Sequence, residues 1–326
     1  MPKIGNNFTK LRVELTTFAK SPWIIRLLFC TVILVVLFLI YKERTLLISF
    51  NWTPNLFFLF LSLVSHSVSL AINYLVWHLM VKKKGGAGKP LLNLYAFAIA
   101  TISRRIPTPI WYLGSRFVIY SEIISKDLLG LLSLYEIFLL GSSGAIATFT
   151  SLSFNLHLHW SWLITGTIIG TFLFLLPFFY PNWIAILLTK IISIFTKKSL
   201  PLPALHKADY FMWWWLYFVS WVSEGIAITF TFFSFLPSHP NFYNGFTYAL
   251  LSTYIGFISQ ILPAGLGIKE IIAGILFQQW LPTSVGIVIA LIYRLLITLW
   301  ELLGSFCIYR IWQRSRANPQ ILPKSY

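Results

Sequence analysis

Charge is what this sequence has least of: 10% of its 326 residues are Asp, Glu, Lys or Arg, and only nine are acidic. A soluble domain carries roughly 25% charged residues, so an independent water-soluble fold is excluded. Cysteine is almost as scarce. The two present, Cys30 and Cys307, both lie inside apolar runs, which excludes a disulfide framework and leaves two inert thiols. No small-residue cleavage site follows the first apolar run, "LLFCTVILVVLFLIY"; Lys42, Glu43 and Arg44 stand there instead. The run is therefore expected to be a retained helix and not a signal peptide.

What the chain has is apolar length. Hydrophobic residues make up 57% of it and aromatics 18%, the composition of a polytopic membrane protein. A spanning helix needs about 20 largely apolar residues. Six stretches qualify, at about 23–41, 54–81, 128–150, 160–180, 210–236 and 283–311. The segment "NWIAILLTKIISIFTKK" fits either an interfacial amphipathic helix or a continuation of the fourth span.

The net charge of +16 is patterned as topology and not as a nucleic-acid surface. With the N-terminus in the cytoplasm, 18 of the 25 basic residues fall inside: Lys3 to Arg26, Lys82 to Lys89, Lys126, Lys190 to Lys207 and Arg310 to Lys324. Outside segments keep only Lys42 and Arg44. Arg104, Arg105, Arg116, Lys269 and Arg294 remain, at membrane depth.

Two apolar regions are not simple spans. In "LLNLYAFAIATISRRIPTPIWYLGSR" the arm before Arg104 is about 13 residues, or roughly 20 Å of helix, too short to cross. Two full spans here would push an arginine-rich turn to the outer face, so a hairpin from the cytoplasm, broken at Pro107 and Pro109, is expected. The second region, about 243–281, contains "ISQILPAGLGIKE", where Pro263, Gly265 and Gly267 break an apolar run just before Lys269 and Glu270. It is expected to enter from outside. Broken backbone at membrane depth is tolerated only inside protein or against a water-filled cavity.

"ISRRIP" at 102–107 and "ISQILP" at 258–263 match, as do "SLYE" at 133–136 and "TLWE" at 298–301, and "VS" at 64 and 219. Matches in one order at similar offsets point to a duplicated unit of three spans and one hairpin, about 23–150 and about 160–311. An odd number of spans inverts the second copy. The expected fold is thus a single all-α integral membrane domain with six full spans, two re-entrant hairpins and an inverted-topology repeat.

Nine ionisable residues fall at membrane depth: the five bases above with Glu136, Glu224, Glu270 and Glu301. At about 2.5–3.5 kcal/mol each, leaving all of them in lipid would cost on the order of 25 kcal/mol. They must face each other or water. Arg294, Thr298 and Glu301 share a helix face, as do Ser220 with Glu224, and Ser62, Ser65 and Ser69 with Asn73. The glutamates either hold helices together or line a cavity where one of them carries a coupling proton. Arg104, Arg105 and Arg116 have no acid in their hairpin before Glu122. A guanidinium matches phosphate oxygens, so a lipid head group is their expected partner, against plain snorkelling of Arg104 and Arg105 to cytoplasmic water.

Other motifs fail. "GGAGKP" lacks the first glycine and the hydroxyl of a phosphate loop, Gly265 and Gly267 lack the third glycine and strand of a dinucleotide site, and the histidines, including His157 and His159, show no metal-ligand spacing. No cofactor, metal or nucleophilic constellation is expected.

"LPAGLGIKE" resembles the P-G-G-x-G-x-x-E signature of the lysylphosphatidylglycerol synthase transmembrane-domain family, the flippase-like domains, and "RRIPTPIWYLGSR" resembles its R-x-x-P-G-x-x-W…G-R segment. Pro107, Gly114 and Arg116 take the first motif, and Pro263, Gly265, Gly267 and Glu270 the second. Thr108 and Ala264 depart from it by replacing glycines. The resemblance implies a membrane domain that moves or binds modified lipid. With about 15 residues beyond the last span, the synthases' aminoacyl-transfer domain is expected to be missing, so lysyl-lipid synthesis is not expected.

The expectation is a non-enzymatic, flippase-like transporter in the cytoplasmic membrane, with the head group at Arg104, Arg105, Arg116, Lys269, Glu270 and Arg294. Glu136, Glu224 and Glu301 would line the cavity. The alternatives are a non-transporting partner of a lipid-modifying synthase or glycosyltransferase, and an integral-membrane lipid transferase.

Overall fold

The computed structural model describes residues 41–42, 44–104, 110–153, 206–236, 240–259 and 267–317. Within them the chain is all helical, with no strand. The helices are α1 (Arg44–Ser49), α2 (Leu56–Gly85), α3 (Pro90–Ser103), α4 (Ile110–Ile119), α5 (Lys126–Ser153), α6 (Lys207–Ser234), α7 (Phe242–Ser259), α8 (Ile268–Leu276) and α9 (Thr283–Ala317). Four of these, α2, α5, α6 and α9, are long and apolar enough to cross a membrane, as a multi-pass membrane protein requires. They coincide with four of the six expected spans. The expected span at 160–180 and all but the end of that at 23–41 lie outside the described residues, as does "NWIAILLTKIISIFTKK".

Helix ends follow local chemistry. The Asn55 side chain accepts the Phe57 N–H at 3.0 Å to start α2. Gly86, at φ 71°, stops it after Lys82, Lys83 and Lys84, cations suited to a helix C-terminus. Pro90 opens α3, where its missing N–H has no helical partner to lose. At 14 residues, or roughly 21 Å, α3 is too short to span.

The centre of the bundle is the antiparallel pair α2 and α6, joined along its length by polar contacts. The Asn55 N–H donates to the Ser234 carbonyl at 2.7 Å, and the Ser62 and Thr231 hydroxyls meet at 2.8 Å. Ser65 donates to the Ser223 carbonyl at 2.7 Å, Ser69 and Ser220 meet at 2.9 Å, and Ser220 donates to Asn73 at 2.9 Å. Lys83 pairs with Asp209 at the far end. The serine stripes read from the sequence therefore face one another. Small hydroxyl residues let helices approach where lipid offers no hydrophobic drive for association.

Around this pair shorter helices pack on the other long ones. The first of them, α3, lies antiparallel on α9, with Tyr95 stacked on Trp312 at 5.5 Å and the Ser305 hydroxyl on the Ala98 carbonyl at 3.3 Å. Reciprocally, α7 lies antiparallel on α5, with Ser151 and Thr247 hydroxyls 2.6 Å apart. After α4 the chain returns to where it left α2: a Cβ on Gly85 would stand 2.8 Å from the Ile124 side chain. After α8 it returns to where it left α6: Trp280 lies 5.6 Å from Tyr248, and Phe277 stacks on Phe232 at 3.8 Å. Trp52, just after α1, covers that end with its ring against Phe235 at 5.9 Å.

Candidate functional site

The buried charges gather into two clusters, each where a short helix meets a long one. In the first, the guanidinium of Arg116 on α4 grips the carboxylate of Glu136 on α5 with both terminal nitrogens. Arg116 is wholly buried and its carbon lies 3.4 Å from the ring centre of Trp77 and 4.2 Å from that of Tyr112. Tyr112 donates to Glu136 at 2.6 Å and Tyr217 at 3.4 Å. A buried charge pair holds when its geometry is bidentate and further donors fill the remaining lone pairs, and both conditions are met. A hydrogen-bonded chain continues outward, Trp77 to Tyr120 at 3.2 Å and Tyr120 to Asn93 at 2.7 Å. Asn93 in turn donates to the Ala87 carbonyl at 2.9 Å, which ties α3 to the end of α2.

The acid that Arg116 meets comes from the next helix, 20 residues on, beyond the hairpin whose lack of an acid pointed to a lipid phosphate.

The second cluster lies among α2, α6, α8 and α9. Gly267 takes φ 92°, a conformation that L side chains rarely adopt, and its N–H donates to Glu270 at 3.0 Å. Glu270 thus caps α8, and its other oxygen receives Arg294 of α9 at 2.6 Å. The G-x-x-E at the end of the second motif is a device that starts a helix and pins it to its neighbour. Behind it, α8 and α9 touch backbone to backbone: a Cβ on Gly286 would stand 2.9 Å from the Gly274 Cα.

Deeper in, His66 of α2 lies between two carboxylates. Its Nδ1 is 2.8 Å from Glu224 on α6 and its Nε2 is 3.3 Å from Glu301 on α9. Tyr293 donates to the other Glu224 oxygen at 2.7 Å. The Lys269 ammonium stands 5.3 Å from the Tyr293 ring centre. His66 sits four residues after Ser62 and three before Ser69 on the same polar stripe, a place that spacing alone does not mark as functional. Among the described residues no group of three His, Cys, Asp or Glu side chains could hold a metal ion.

The remaining candidates divide. Arg104 is exposed at the end of α3, and Gly114 lies on α4 with open space beside it. Arg105, Pro107, Pro109, Pro263 and Gly265 lie outside the described residues, as do Cys30, His157 and His159. A cleft of about 640 Å³, lined by Phe50, Asn55, Ser234 and Pro282, opens at the α1 end and takes in none of the charged candidates.

No protein-family model matches this chain, and no curated protein matches it closely.

Proposed function

We propose that this chain is a flippase-like transporter that moves an anionic, aminoacylated or glycosylated lipid across the cytoplasmic membrane, without an enzymatic step. The observation that carries the proposal is the placement of charge: every described carboxylate within the apolar length is matched with a cation or His66, and each match joins two or three different helices. Static helix packing needs no such groups, which cost about 2.5–3.5 kcal/mol each on insertion scales. Exchangeable ion pairs between helices do suit a bundle that must open a polar path.

The finer architecture belongs to the same proposal. We take the regions holding α3–α4 and α7–α8 as re-entrant hairpins in two inverted repeats, about 23–150 and about 160–311, with the N-terminus in the cytoplasm. Support comes from the return of Ile124 to Gly85, the return of Trp280 to Tyr248, and the reciprocal packing of α3 on α9 and α7 on α5. The motif resemblance to the lysylphosphatidylglycerol synthase transmembrane domains points the same way. In this scheme Arg104, with Arg105, receives the head-group phosphate from the cytoplasmic side while the acyl chains stay in the bilayer.

The test is transbilayer movement in vesicles containing the purified protein. The panel holds labelled phosphatidylglycerol, aminoacyl-phosphatidylglycerol, phosphatidylcholine and a polyprenyl-phosphate sugar, with wild type set against Arg104→Ala/Arg105→Ala. Movement of one head-group class, lost in the double variant, is the expected result. No movement of any lipid by folded protein would overturn the proposal in favour of a partner subunit for a lipid-modifying enzyme.

A further inference from the structure

The hydrogen-bonded chain that runs outward from Trp77 ends on a histidine. The Asn93 amide nitrogen lies 2.8 Å from His78 Nδ1 as well as 2.9 Å from the Ala87 carbonyl. Asn93 is wholly buried, so its polar atoms are satisfied within the protein. Two neighbours of fixed polarity decide how. The Trp77 indole can only donate, so Tyr120 accepts from it at 3.2 Å and passes its own proton to Asn93 Oδ1 at 2.7 Å. The Ala87 carbonyl can only accept, so the group beside it is the Asn93 NH2. Both ends give the amide the same orientation, and its second N–H is left to point at His78.

An imidazole nitrogen that receives an N–H must present a lone pair. His78 therefore fits as the neutral ring with its proton on Nε2. The other tautomer and the imidazolium both set an Nδ1–H against an amide N–H at 2.8 Å. Turning the amide over does not help, because Asn93 Oδ1 would then stand 2.9 Å from the Ala87 carbonyl oxygen. The His78 ring is partly exposed, so a proton from water can reach it. Tyr74 of the same helix stacks on it at 5.9 Å and also ties α2 to α3, donating to the Pro90 carbonyl at 3.1 Å. Lys82 follows one turn along α2, Lys89 precedes α3, and Tyr120 stands beyond Asn93. Among the described residues no carboxylate pairs with the ring. These neighbours are cationic or neutral, so a charge on His78 gains no ion pair.

We infer that His78 and Asn93 form a pH-sensitive lock: the neutral ring fastens α3 to α2, and a proton taken up as the pH falls below about 6.5, where histidine titrates, releases it. Protonation turns the one acceptor at the end of the chain into a donor, and the amide has no second orientation that satisfies both His78 and Ala87. Arg104 ends α3, so release frees the helix that places this arginine. The lock stands on the hydrogen bonds alone and does not rest on the transporter function proposed above.

Two measurements on the full-length protein in detergent test the lock. With histidine and asparagine side chains labelled with 15N, a nitrogen–nitrogen coupling across the hydrogen bond reports the pair directly, and its loss in His78→Gln assigns it. The coupling is expected at pH 7.5, with the His78 proton on Nε2. At pH 5.5 it is expected to vanish as the ring gains its second N–H. Absence of the coupling at pH 7.5, or its survival at pH 5.5, would overturn the lock.

Second, hydrogen exchange of the α3 amides, corrected for the intrinsic effect of pH, shows whether the helix is released. Linkage to one proton lowers protection by up to about tenfold per pH unit, so a fall of roughly tenfold is expected between pH 7.5 and 5.5, with α6 unchanged as the control. In His78→Asn an amide oxygen can take the place of Nδ1 without titrating, and protection of α3 is expected to stay constant. An equal fall in this variant would assign the pH effect to another group and overturn the lock. Constant protection in wild type would overturn it without recourse to any variant.

Discussion

Glu270 and Arg294 are joined at 2.6 Å across two helices, and the same glutamate closes the first turn of its own helix by accepting the Gly267 N–H. One side chain therefore sets both where α8 begins and which neighbour it leans on. Glu270→Gln keeps a cap acceptor and loses the ion pair. Arg294 is 31% exposed, so its orphaned charge can recruit water. The expected loss is about 1–3 kcal/mol, measured by denaturation in detergent with tryptophan fluorescence. Gly267→Ala, which strains a φ of 92°, is expected to cost about 1–3 kcal/mol on its own.

Arg116 has no such escape. Glu136→Gln leaves a guanidinium with 0% exposure facing a neutral amide, and breaking a buried pair from one side costs about 3–5 kcal/mol. The same assay should therefore rank Glu136→Gln well below Glu270→Gln. The double change Arg116→Met/Glu136→Leu is expected to recover most of the loss, because it removes both buried charges together. Equal destabilisation by the two single glutamate changes would contradict the burial difference on which the ranking depends.

The contrast also marks what could be read in the sequence. The Ser62, Ser65 and Ser69 stripe and its counterpart at Ser220 were legible because helical periodicity is local, and the structure sets those faces together. The long helices were legible for the same reason. Partner choice was not. Glu136 lies a full helix away from the arginine it satisfies, and nothing in the spacing of either residue names the other. His66 was within reach on its stripe, yet a lone histidine among serines carries no signal until two carboxylates from distant segments converge on it.

Close approach makes the α8–α9 crossing sensitive to a single methyl group. A Cβ on Gly286 would press against the backbone of Gly274 at 2.9 Å, and backbone cannot step aside as a side chain can. Gly286→Ala is expected to destabilise by about 1–3 kcal/mol through overpacking. Gly304, on the same helix with nothing within 4 Å, is the control. Its change to Ala is expected to stabilise the helix by roughly 0.5–1 kcal/mol.

The return of the chain after α4 predicts a topology that can be read from outside. Gly88 follows α2 and Glu122 follows α4; both are exposed. Between them the chain enters the bundle and comes back, since Ile124 packs against Gly85. With Cys30 and Cys307 replaced by serine, single cysteines at 88 and 122 are expected to react with an impermeant maleimide from one side of the membrane. Cysteines at Asn241 and Gln279, which flank α7 and α8 and are likewise exposed, are expected to react from the other. In the orientation proposed above, the side that carries Lys82, Lys83 and Lys84 at the end of α2 is the cytoplasm. Labelling of positions 88 and 122 from opposite faces would mean that the first hairpin crosses. Arg104 would then lie toward the outer face, and the cytoplasmic route for a head group would have to be abandoned.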